Sequence, residues 1–87
     1  MRFEMGALRV TPGAEAALTL EEAKDITLRH LSGDWGDMDD EDRNVNDRNL
    51  RNGGRLFSQY KLPGDRIIWI VTEADRSETT LLIPSEY

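Results

Sequence analysis

The chain has 87 residues, with 17 acids against 11 bases, one His and no Cys, and a formal charge of −6 at pH 7. Without Cys there is no disulfide and no thiolate metal site, and no apolar run approaches the roughly 20 residues of a membrane helix. The acidic balance argues against direct binding to nucleic acid, where Lys and Arg neutralising phosphates dominate affinity.

The chain lacks a basic start followed by an apolar stretch and a small-residue cleavage site, so no export is expected and the predicted location is the cytoplasm. Its length suits a single domain spanning residues 1–87. A domain of this size buries roughly 60–65% of its unfolded surface. Its apolar residues must therefore concentrate on a few faces, or a partner must complete the core.

Residues 1–11 read as a strand, with Phe3, Met5, Leu8 and Val10 alternating around a break at Gly6. Thr11 before Pro12 signals a helix start, because Pro fits the first helical position where its missing N–H costs nothing. A short Ala-rich helix follows over 13–18. Thr19 and Glu22 then form a capping box for a second helix over 20–31, with Ala23, Ile26 or Thr27, and Leu31 at helical spacing and Gly33 just past its end.

Between 34 and 42 lie Asp34, Asp37, Asp39, Asp40, Glu41 and Asp42 with no base among them, and Trp35 and Met38 as the only large apolar residues. Asp39 or Asp40 can cap a third helix over about 41–52, with acids in its first turn and Arg48 and Arg51 toward its end, as the helix dipole favours. Its apolar face is poor, carrying Val45, Leu50 and little else. From Arg55 the period changes to two. Leu56, Ser58 and Tyr60 face one way, and Arg55, Phe57 and Gln59 the other. Pro63-Gly64 makes a turn. The stretch 66–73 is apolar on both faces and reads as a central strand. A polar turn at 74–77 leads to a last strand over 78–83, stopped by Pro84, and the tail is ordered only if Tyr87 packs.

The expected fold is α+β with order β-α-α-α-β-β-β. It is a two-layer domain with helices packed on one face of an antiparallel three- to four-stranded sheet. Short links make the last three strands a meander, and the first strand adds to an edge.

Three groups of residues are candidates for function. The acidic segment, Asp34, Trp35, Asp37, Asp39, Asp40, Glu41 and Asp42, forms a row of carboxylates able to imitate phosphates before a basic surface. Trp35 is placed to act as an aromatic anchor. Counted from Asp37, the same segment fails as a calcium loop, because its sixth position is Asp42 rather than Gly and its twelfth is Arg48 rather than Glu. The second group is His30 with Arg55, Tyr60 and Thr80. If these share a concave face, His30 moving protons and an arginine stabilising a phosphorane describe a metal-free ribonuclease. The third is the polar run Glu73-Ala-Asp-Arg-Ser77, which also reads as an ordinary hairpin turn. No metal or cofactor is expected.

Two longer stretches carry a resemblance. His30-Leu-Ser-Gly-Asp-Trp-Gly36, and Ile68-Trp-Ile-Val-Thr-Glu-Ala-Asp-Arg-Ser77 running on to Thr79-Thr-Leu-Leu-Ile-Pro84, resemble a family of small plasmid-related proteins of bacterial plasmids and integrated elements. The resemblance spans most of the chain. It implies a bacterial, mobile-element setting and no particular chemistry. In that setting the first expectation is a non-enzymatic acidic protein that inhibits a basic nucleic-acid-binding partner, in defence or anti-defence. The alternative is a toxin-type ribonuclease using His30. A third is a small subunit that forms a homodimer by pairing edge strands.

Overall fold

The computed structural model describes residues 1–87. Strand β1 (Ala7–Val10) is followed by helices α1 (Pro12–Ala17), α2 (Leu20–Leu31) and α3 (Asp40–Asn52), then strands β2 (Leu56–Leu62), β3 (Arg66–Thr72) and β4 (Glu78–Leu82), and a 3-10 turn (Pro84–Glu86). The α+β order is the expected one. The four strands form one sheet in the order β1-β4-β3-β2.

The local signals act as the sequence suggests. Thr11 caps α1 by accepting from the Ala14 N–H at 3.2 Å. In the capping box of α2, Thr19 accepts from Glu22 N–H and Glu22 accepts from Thr19 N–H. Asp39 caps α3 by accepting from Asp42 N–H at 2.9 Å. Each such cap satisfies a donor that the helix itself cannot.

The sheet is mixed rather than wholly antiparallel, because β1 runs parallel to β4. The cause lies in the helical layer. β2, β3 and β4 form an antiparallel meander, so β4 points the same way as β2. The three helices return the chain so that β2 also runs in the direction of β1. A strand laid beside β4 must then be parallel to it.

Strand β1 is shorter than the expected 1–11. Gly6 stands at φ +64°, and a Cβ there would lie 2.2 Å from the Ser77 carbonyl oxygen. The chain bends at that point. Residues 1–6 leave the sheet and cross to the end of α2, where Arg2 N–H donates to Leu31 O at 2.8 Å.

The main core lies between the sheet and the first two helices and includes Ala14, Ile26, Tyr60, Ile68, Ile70 and Leu81. The opposite sheet face is covered by the tail. Tyr87 packs edge-on against Phe57 and Trp69, and Phe57 and Trp69 pack on each other with centroids 4.9 Å apart. Glu86 anchors this tail by accepting from Gly13 N–H and from the Thr11 hydroxyl. Cover on both faces explains why β3 is apolar on both.

Helix α3 is placed differently from the other two. Asn46, its one buried residue, donates to Phe57 O at 2.6 Å and accepts from Phe57 N–H at 3.0 Å. These groups point outward from β2, which is the last strand of the sheet. The helix therefore lies along the sheet edge, held by an amide that imitates a neighbouring strand. That is why its apolar face is poor.

Candidate functional site

The acidic segment runs along the same edge. Gly36 makes a parallel bridge to Gln59. Gln59 N–H donates to Trp35 O, and Asp37 N–H donates to Gln59 O at 2.6 Å. Gly36 sits at φ +78°, and a Cβ there would meet the Gln59 carbonyl oxygen at 2.1 Å, so no other residue allows this approach. One step further along, the Asp37 carboxylate accepts from Lys61 N–H at 2.8 Å. Together with Asn46, these contacts satisfy the outward groups of β2 one after another.

The six acids therefore divide by role. Asp34 pairs with Arg29 at 2.7 Å and accepts from Gly36 N–H. The Arg29 hydrogen bond, aided by that N–H, holds its carboxyl below the usual range. Asp37 caps the strand edge, and Asp39 caps the helix. Asp40, Glu41 and Asp42 have no such work. Asp40 is 96% exposed with Arg43 at 3.7 Å, and Glu41 and Asp42 are exposed and outside every ion pair. Such a contact in full solvent does little to neutralise a carboxylate.

Trp35 is not at the surface. It is 4% exposed, donates through Nε1 to Asp47 at 3.0 Å, and stacks on Phe3 with centroids 6.2 Å apart. It fastens the acidic segment to the core and leaves the exposed row without an aromatic anchor.

His30 is fully buried at the end of α2. Its Nδ1 lies 2.6 Å from Ser58 Oγ and its Nε2 2.9 Å from Thr72 Oγ1. Thr72 and Thr79 hydroxyls are 2.8 Å apart, and Thr79 donates to Met5 O. The direction of this chain follows from its end. Met5 O only accepts, so Thr79 donates to it and accepts from Thr72. Thr72 in turn accepts from the His30 Nε2–H. Burial keeps the imidazole neutral, so Nδ1 is bare and Ser58 donates to it. Burial, with the Arg76 charge nearby, lowers the His30 pKa to about 4. Phe3 and Trp35 close over the ring, both edge-on, at 5.3 and 5.6 Å.

The other members of the second group lie elsewhere. Tyr60 is buried, its hydroxyl donates to Asp34 O at 2.6 Å, and burial raises its pKa. Arg55 is held by Glu73 and by the Tyr87 hydroxyl. Thr80 is on the opposite sheet face from Thr79 and lines a shallow concavity with Arg55, Glu73 and Tyr87. Arg76 donates to the carbonyls of Asn49, Gly54 and Glu73, tying the β3–β4 turn to the end of α3. The fold does not bring His30, Arg55, Tyr60 and Thr80 to one place.

Asn46 carries much of this arrangement, and sequence reading did not single it out. A lone Asn in a polar helix is a weak signal. The clue is an exposed-looking helix with almost no apolar stripe directly before an edge strand. No helix is long and apolar enough to cross a membrane. Comparisons with protein families, curated proteins and solved structures found no match to this chain.

Proposed function

We propose that the protein is a non-enzymatic interaction protein that presents the first turn of α3 to a basic surface on a partner protein. The observation behind this reading is the lack of internal neutralisation at Asp40, Glu41 and Asp42. They project from the molecule on a rigid support, because Asp37, Asn46 and Trp35 fix the segment to the sheet. Charge held rigidly in solvent steers association and selects partners of opposite sign. A basic nucleic-acid-binding surface has the required sign, so binding there excludes its nucleic acid. In the bacterial mobile-element setting suggested by the sequence resemblance, this is inhibition of a defence or anti-defence protein in the cytoplasm.

The ribonuclease alternative requires His30 to touch a phosphate. Its ring lies beneath Phe3 and Trp35 with both nitrogens engaged, and no observation favours that reading.

The test uses the triple variant D40N/E41Q/D42N, which spares Asp37 and Asp39. Affinity capture from a bacterial host is run with both proteins, and captured material is challenged with duplex DNA. The expected result is a partner retained by the wild type, released by salt and by DNA, and absent from the variant. Equal capture by the folded variant overturns the proposal.

A further inference from the structure

The opposite edge of the sheet is bare. In the parallel pairing with β4, Ala7 N–H donates to Ser77 O and Thr11 N–H to Leu81 O. The alternation along a strand turns the backbone groups of Leu8 and Val10 the other way, where no strand, side chain or loop meets them. All four residues of β1 are exposed. The strand has no Pro and no Lys, and Arg9, its only charge, is occupied by Glu78 on the other face. Of the usual devices that blunt an edge, β1 has only its shortness, four residues; no Pro, bulge, free charge or covering loop guards it.

Beside this edge lies an apolar groove of about 310 Å³ between β1 and α2, in whose lining Lys24 is the only charged residue. Leu8, Val10, Leu20 and Leu28 stand along it, exposed by 47, 41, 80 and 61%. Together they offer on the order of 400 Å² of apolar surface, the scale of a functional patch on a monomer.

We infer that β1 and this groove are a self-association surface, and that the occupant is a second copy of the chain. Two copies related by a two-fold axis perpendicular to the sheet pair their β1 strands antiparallel. Both helical layers then fall on the same side of one continuous eight-stranded sheet. The two α2 helices then run antiparallel, so Leu20 of one copy lies toward Leu28 of the other and the reverse, and the contact is self-complementary. Twice the apolar patch, with the strand backbone, approaches the roughly 1,000 Å² of a specific interface.

Charge also permits this dimer despite −6 on each copy. The carboxylate row sits beside β2, at the far end of the order β1-β4-β3-β2. Seven strand spacings of about 4.8 Å place the two rows on the order of 34 Å apart. The Debye length is about 8 Å at physiological salt, so the rows scarcely repel. Pairing through β2 would instead bring the rows together and displace their contacts to that strand.

The experiment is sedimentation equilibrium on the full chain over a wide concentration range, with amide hydrogen exchange in parallel. The wild type is expected to form a dimer of twice 9.9 kDa, with the Leu8 and Val10 amides protected. Leu28→Glu, at an exposed helix position, is expected to weaken the dimer about a hundredfold. Leu8→Pro removes an N–H that the protomer does not use, and is expected to abolish the protection at Val10 while far-UV circular dichroism stays unchanged. A wild type that remains a monomer with both amides unprotected overturns the inference. So does a dimer that neither folded variant weakens. A foreign apolar strand or small ligand as the groove's occupant corresponds to the first of these results.

Discussion

The two edges of one sheet are treated in opposite ways. At β2, Asn46, Trp35, Gly36 and Asp37 meet the outward groups of Phe57, Gln59 and Lys61, and the cover is polar and acidic. At β1 nothing covers the strand, and the neighbouring surface is apolar. The difference shows that edge protection is local. It depends on what the chain carries past that edge, and here the whole acidic segment and α3 are used on one side.

The contrast is broken most severely by opening the covered edge. Asn46→Leu leaves the N–H and C=O of Phe57 without partners beneath a packed helix. At about 1–3 kcal/mol for each orphaned group, a loss of roughly 2–6 kcal/mol is expected, read by urea denaturation. New self-association of this variant through β2 would show that Asn46 is also what keeps the edge closed.

An effect of intermediate size comes from the buried core rather than from the outward backbone groups of either edge. The folded-state pKa of His30 is about 4, below the ordinary 6.5. The unfolded chain therefore takes up the proton first as pH falls. The stabilisation is fully present above pH 6.5 and is lost progressively down to about pH 4. A shift of this size corresponds to roughly 3 kcal/mol. Urea midpoints at pH 7 and pH 5 measure most of the change, before the carboxylates contribute. His30→Gln is expected to remove this slope, and a slope that survives the substitution would assign it to other groups.

The smallest effect belongs to the bare edge. Leu20→Gln is expected to change monomer stability by no more than about 0.5 kcal/mol, measured by denaturation at high dilution. A loss comparable to that of Asn46→Leu would erase the distinction between the two sides.

The parts of the fold that rest on local chemistry were legible in the sequence. Thr11-Pro12, the Thr19–Glu22 box and the cap of α3, which the sequence narrows to Asp39 or Asp40, each act on a backbone group within three residues, so their pattern carries the information. The faces of β2 follow in the same way from a period of two. Features set by distant partners were not legible. The direction of β1 depends on where three helices return the chain. The burial of Trp35 depends on Phe3 and on Asp47, twelve residues away. For His30, the sequence suggests a proton-moving side chain beside Arg55, Tyr60 and Thr80. Ser58, Thr72 and Thr79, all from strands far along the chain, make it a neutral core residue instead. Of the acidic segment, the sequence showed the charge but not its division into carboxylates that hold the strand and helix and carboxylates that are free.

The separation of carboxylates from apolar surface also determines how the molecule answers to its solvent. Sodium chloride screens contacts made by Asp40, Glu41 and Asp42, while the groove beside α2 has almost no charge to screen. Sulfate goes further and strengthens apolar burial. Ionic strength therefore acts as a selector, loosening attachments at one end of the sheet while leaving those at the other intact or tighter.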